Sequence, residues 1–199
     1  MKSSKKSSKK SSIKTIITMI IFGGLIFGVF MHLSNREEEE KAEIVVEQTE
    51  VERLLDHDLS KEYPPTAREV VKHYARIVKS IHSEDISDDV VTKLGDAMLL
   101  LYSEELIAEN PRDEYIKRLL TEVDQYQLLG KKVTSYALDS ADNIITWTED
   151  GVEYARILVT FTTQEDTIFN RTYEEFLLKK DDQKHWKILG WRLADQEDM

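Results

Sequence analysis

From Thr15 to Asn35 no position is charged, and Ile, Phe, Leu and Val recur on every side rather than in a stripe. A hydrocarbon core about 30 Å thick needs about 20 such residues at about 1.5 Å rise each. A helix is the one way a lone segment can satisfy its backbone there. The pattern therefore predicts one membrane-spanning helix over 15–35. Gly23, Gly24 and Gly28 are ordinary in membrane helices, and Gly24-x-x-x-Gly28 is a single copy of the small-xxx-small pairing pattern. A cleaved signal peptide would have a shorter apolar core ending in a small-x-small site. Phe30-Met31-His32-Leu33-Ser34 offers no such site.

Beyond the span the pattern becomes that of a water-facing protein. Residues 36–65 read as an acidic stalk, opening with Arg36 and Glu37–Glu40. Ile44, Val51, Leu54 and Leu55 fall near helical spacing within it, and Tyr63-Pro64-Pro65 forces an extended path that marks its end. Thr66-Ala67-Arg68-Glu69 is a capping box, followed by an apolar stripe of Val70, Val71, Tyr74, Ile77, Val78 and Ile81. A second helix starts at Ser87 or Asp88 and carries Val90, Val91, Leu94, Ala97, Met98 and Leu101. Asn110 as cap and Pro111 in the first turn open a third, whose buried face holds Tyr115, Ile116, Leu119, Leu120, Val123 and Tyr126; Gly130 stops it.

After Gly130 the apolar period drops from 3.6 to 2. Strands are expected over 133–139, 144–148, 153–163, 168–180 and 184–194, with Glu149-Asp150-Gly151 as a tight turn. Helices followed by an antiparallel meander make an α+β domain over 66–199, helices on one face of a sheet. Ala155, Ile157, Val159 and Phe161 alternate so as to meet the helices, joined by Phe176, Leu178, Trp186 and Ile188. The opposite face would hold Tyr154, Leu158, Tyr173, Leu177, Leu189 and Trp191, more apolar than a wet face requires. Either it is a surface for a partner or a second copy, or a curved sheet or the stalk helix covers it.

Charge sets the orientation. Lys2, Lys5, Lys6, Lys9, Lys10 and Lys14 precede the span with no acid among them, so residues 1–14 read as a disordered basic cytoplasmic tail facing anionic lipid. Of 27 basic residues, 21 remain beyond it against 38 acidic ones, a net charge of −17. A domain so acidic repels phosphate backbones, which argues against nucleic acid as a partner. The chain has no cysteine, hence no disulfide, thiolate nucleophile, sulfur-ligated metal or lipoprotein anchor.

Candidate chemistry is sparse. His32, His57, His73, His82 and His185 include no pair at the i, i+4 spacing of a helical zinc site, and each reads as structural. The acidic run His82–Asp89 lacks the alternation and turn glycine of a calcium loop and reads as a helix start. Glu174 and Glu175 are adjacent on a strand, point to opposite faces and cannot act as an acid/base pair. No cofactor, metal or catalytic signature is found.

Three helices, an antiparallel sheet and the closing Tyr173-Glu-Glu-Phe-Leu-Leu-Lys-Lys-Asp-Asp and Trp186-Lys-Ile-Leu-Gly-Trp191 segments resemble the nuclear-transport-factor-2-like (NTF2-like) superfamily, a cone-shaped α+β fold. Better-known members insert strands between their helices, whereas here the helices come first. The Lys/Ser tail, the single span and the segment Tyr63-Pro-Pro-Thr-Ala-Arg-Glu-Val-Val-Lys72 are similar to uncharacterised membrane-anchored proteins of Gram-positive anaerobes. The resemblance implies a pocket between sheet and helices, for which Tyr74, Tyr136, Arg156 and Arg171 are the candidate occupants.

The expected function is thus a non-enzymatic extracytoplasmic domain tethered to the bilayer and binding an envelope protein or itself. The alternative is a small-molecule binder, or a hydrolase or isomerase, using the interior of the cone. Location is open to a direct test. Protease added to intact cells should digest the chain beyond residue 36 and spare the tail; protection of the whole chain, or a mature chain starting after Leu33, would contradict the anchor.

Overall fold

The computed structural model describes residues 48–194, in which five helices lead into five antiparallel strands. The expected tail, span and first part of the stalk lie outside the described residues. Among these, no helix is long and apolar enough to cross a membrane. The helices are α1 (Glu50–Asp56), α2 (Ala67–Ile81), α3 (Asp88–Leu101), α4 (Glu104–Glu109) and α5 (Arg112–Leu128). The strands are β1 (Lys131–Leu138), β2 (Ile145–Glu149), β3 (Val152–Glu165), β4 (Ile168–Lys180) and β5 (Trp186–Leu193).

Local chemistry accounts for most of the helix ends. Thr66 accepts a hydrogen bond from the Glu69 amide, as a cap should, but Glu69 turns to Lys72 at 3.3 Å. The reciprocal box forms one helix earlier, where Thr49 accepts from Glu52 N and Glu52 accepts from Thr49 N. Asn110 does not cap α5. It ends the short α4 instead, its Nδ2 donating to the Leu106 carbonyl at 3.0 Å, and Pro111 stands at the N-cap. Gly130, at φ 61°, turns the chain from α5 into β1.

The stalk also differs from expectation. Val51, Leu54 and Leu59 are buried, and Arg76 of α2 pairs with Glu50 of α1 at 2.6 Å. Tyr63 donates its hydroxyl proton to the Trp186 carbonyl at 2.8 Å, and its ring stacks on His185 at 4.4 Å. The compact unit therefore begins at Gln48 rather than at Thr66. Tyr63-Pro64-Pro65 is a docked connection within it, because three apolar side chains of a charged segment find the helix layer.

β2 to β5 form the expected meander, and β1 adds to it: β1 pairs with β3 over 159–165 and β2 with β3 over 152–156, so both share one side of that long strand. Asp150 (φ 50°) and Gly151 (φ 79°) supply the left-handed pair that a two-residue hairpin turn needs. Ala155, Ile157, Val159, Phe176, Leu178 and Ile188 are each at most 1% exposed, and with Phe161 and Trp186 they pack against the apolar stripe of α2 and its neighbours. Fully burying a side chain of this kind stabilises by about 1.5–3 kcal/mol. Gly95 lets α3 and α5 approach, since a Cβ there would stand 2.6 Å from Ile116 Cδ1.

One position leaves the expected sheet face. Leu177 pairs with Gly190 and Leu178 with Ile188, so Leu189 is an extra residue in β5. A bulge of this kind reverses the parity beyond it. Trp191 is consequently paired with Phe176 and stacks on it at 5.6 Å, on the helix side. α1 packs on the helices, and among the described residues no element lies across the outer face.

Candidate functional site

The helix layer does not close completely on the sheet. Between α2, α3 and α5 above and β3 to β5 below is a cavity of about 350 Å³. Its wall is aromatic. Tyr74 comes from the middle of α2, Tyr102 from the end of α3, Tyr115 from α5 and Trp191 from β5. Ring centroids are 5.5 Å apart for Tyr74 and Trp191, 5.9 Å for Tyr102 and Trp191, and 5.8 Å for Tyr102 and Tyr115. Tyr102 is held by the chain around it: the Ser103 amide donates to the Ile188 carbonyl at 2.9 Å, and Tyr102 itself bridges to Ile188. The Tyr102 and Tyr115 hydroxyls are 3.4 Å apart, and Tyr115 also reaches Met98 Sδ at 3.5 Å. Burial pushes all three tyrosines up, so they stay protonated as donors and dipoles.

Two carboxylates face this wall. Glu174 has the inner parity of Phe176 and Leu178, and burial, reinforced by Glu122, raises its pKa to about 6. Glu122 lies half-exposed at the rim, and the His82 imidazole beside it holds its carboxyl below the usual range. His82 is buried, with Nδ1 2.9 Å from the Val78 carbonyl and Nε2 3.3 Å from Glu122 Oε1. That second approach is close but lacks the angle of a hydrogen bond. Arg118, the guanidinium at the rim, donates to Asn110 Oδ1 at 2.7 Å.

Of the four expected pocket residues only Tyr74 lines the cavity. Tyr136 shares the inner parity but sits on the edge strand β1, outside the cavity lining. Arg156 is on the outer face, 3.5 Å from Glu175, and Arg171 is exposed on β4 opposite Thr162. Glu175 pairs there with Arg156 and with Arg192 at 3.0 Å, so the two adjacent glutamates do face opposite sides. Tyr154, Leu158, Tyr173, Leu177 and Leu189 lie half-buried on the outer face. Tyr154 stacks on Trp147 at 5.4 Å, and Ile145 beside them is 51% exposed. Leu177, Leu189, Ile145 and Trp147 border a groove of about 640 Å³ there. It is larger than the inner cavity, but its central ionic groups are already paired with one another.

The remaining histidines do not gather. His73 is buried beside His57 at 5.0 Å, and burial lowers its pKa to about 4, which fits a core role. Asp88 and Asp89 occupy the first turn of α3, where Asp89 pairs with Lys93 at 2.7 Å. Among the described residues no group of three or more His, Asp or Glu is placed to hold a metal ion.

With this geometry in view, the comparisons narrow the identity. A family described as Domain of unknown function (DUF6715) matches residues 1–191. The chain belongs to this DUF6715 family. Its match takes in the lysine-rich tail, the apolar run and the α+β unit together. No curated protein matches the chain.

The raised Glu174 pKa gives a pH-dependent prediction. Protonated Glu174 is the form the fold prefers, so its contribution is fully present below the ordinary value of 4.5 and lost as pH rises through about 6. Glu174→Gln should therefore stabilise the protein at pH 7 by about 1 kcal/mol, allowing for partial exposure. The gain should vanish at pH 4. Thermal unfolding across that range checks it, and a gap independent of pH would contradict the buried-carboxylate assignment.

Proposed function

We propose that this DUF6715 protein is a membrane-tethered, extracytoplasmic small-molecule-binding domain whose site is the cavity between α2, α3, α5 and the sheet. The observation that carries the reading is Glu174: a carboxylate at core parity, raised toward neutrality, inside an aromatic-walled space. Leaving a charge so poorly solvated costs stability, and such groups concentrate where ligands bind. The cavity volume is at the small end of ligand sites. Helices above one face of a curved antiparallel sheet also agree with the NTF2-like resemblance and its interior pocket. The apolar run and basic tail supply the tether, with the domain outside.

A second reading keeps the outer sheet face as an association surface for an envelope protein or a second copy. Exposed Ile145 beside Trp147, Tyr154 and Leu177 favours it. One experiment separates the two. Amide and indole chemical shifts of the full chain in maltoside micelles are followed during a fragment screen. Perturbations at Tyr74, Tyr102 and Tyr115, which line the inner cavity and not the outer groove, are expected. Perturbations confined to Ile145, Trp147 and Leu177 would favour the outer face, and a screen without any hit at the inner wall would contradict the cavity reading.

A further inference from the structure

Building on the cavity reading, we infer that the site is built for a small organic cation, an amine carrying alkyl groups or a quaternary ammonium. Four electron-rich rings, Tyr74, Tyr102, Tyr115 and Trp191, converge on the cavity with centroid separations between 5.5 and 6.3 Å among those of Tyr74, Tyr102 and Trp191. The negative π face of such rings attracts a desolvated cation by about 2 kcal/mol or more, Trp most of all. Glu174 stands on the sheet side of the same space and Glu122 at its rim, so carboxylates bracket the aromatic wall.

The cationic groups lie at the rim, away from Glu174 on the sheet side. Arg118 is exposed and turned to Asn110, and His82 lies against Glu122. An anion passing Arg118 at the rim would meet the Glu174 carboxylate on the sheet side. A neutral guest would leave that carboxylate as poorly solvated as before. A cation offsets the cost most fully, because it supplies the counter-charge that Glu174 lacks. A hard inorganic cation is a poorer fit. It needs six or more oxygen ligands, and among the described residues no metal-holding cluster exists. A methylated ammonium, with apolar groups around its charge, asks only for ring faces and one carboxylate.

Titration calorimetry on the full chain in maltoside micelles, which have no ammonium headgroup, tests this with choline and tetramethylammonium. The control guest is 3,3-dimethylbutanol, the uncharged counterpart of choline. Choline should bind at least tenfold more tightly than the alcohol. Glu174→Gln should reduce the preference at least threefold, leaving the part the rings supply, while Glu175→Gln, altered on the opposite face, should keep the full preference. Thermal unfolding of both variants guards against a misfolded sample. Equal affinity of the unaltered chain for choline and the alcohol, a preference undiminished by Glu174→Gln, or no binding of either cation would overturn the inference. Binding of the alcohol alone would overturn the cation and leave the cavity standing, since the fragment map judges that separately.

Discussion

Leu177 of β4 faces two residues of β5, and the extra one, Leu189, decides which way the rest of that strand points. Strand geometry allows side chains only two directions, so one inserted residue moves all that follow to the other face. Trp191 thereby lies on Phe176, within reach of Tyr74 and Tyr102, while its exposed edge still borders the outer groove. Without the bulge the cavity would keep Phe161 but lose the indole from its sheet side. The aromatic wall depends on this single irregularity more than on any hydrogen bond.

The layer below it is conventional. Val70, Val71, Ile77 and Ile81 of α2 meet Ala155, Ile157 and Val159 of β3 and Phe176 and Leu178 of β4, all of them fully or nearly fully buried. This tight seam holds both layers in register. The aromatic space opens beside it because the next positions are ring-bearing or polar: Tyr102, Tyr115, Thr172 and Glu174 do not interdigitate as Ile and Leu do. Glu174 is the price of that opening, a carboxylate kept where water is scarce. Its neighbour Glu175 has the same chemistry but two guanidinium partners and open solvent. Two identical side chains, one residue apart, thus have different tasks set by the pleat alone.

Much of this was legible in the residue pattern. The apolar period placed α2, α3 and α5, and its change at Gly130 placed the sheet. Alternation from Ala155 to Phe161 identified the core face without error. α1 was missed as part of the domain because Glu and Arg dominate it, although Val51 and Leu54 are spaced to bury. Trp191 was expected on the outer face, whose groove it does border, but its place in the inner wall went unseen because a bulge has no period of its own. Tyr115 read as a core residue and Tyr102 was not singled out, since nothing local says that two helices stop short of the sheet. Glu174 did carry a signal: an acid in step with Phe176 and Leu178 is a charge aimed at a core. Arg156 and Arg171, expected in the pocket, share the opposite parity and so lie outside it, a signal the resemblance overrode.

The claim on which the account rests is that Trp191 belongs to the inner wall, and ring-to-ring nuclear Overhauser contacts measure it most directly. With the full chain in micelles and its aromatic side chains selectively labelled, cross-peaks are expected from the Trp191 indole to the rings of Phe176 and Tyr74. Cross-peaks from Trp191 to the Leu177 and Leu189 methyls, with none to Phe176 or Tyr74, would place the indole outside and contradict both the bulge and the site built on it.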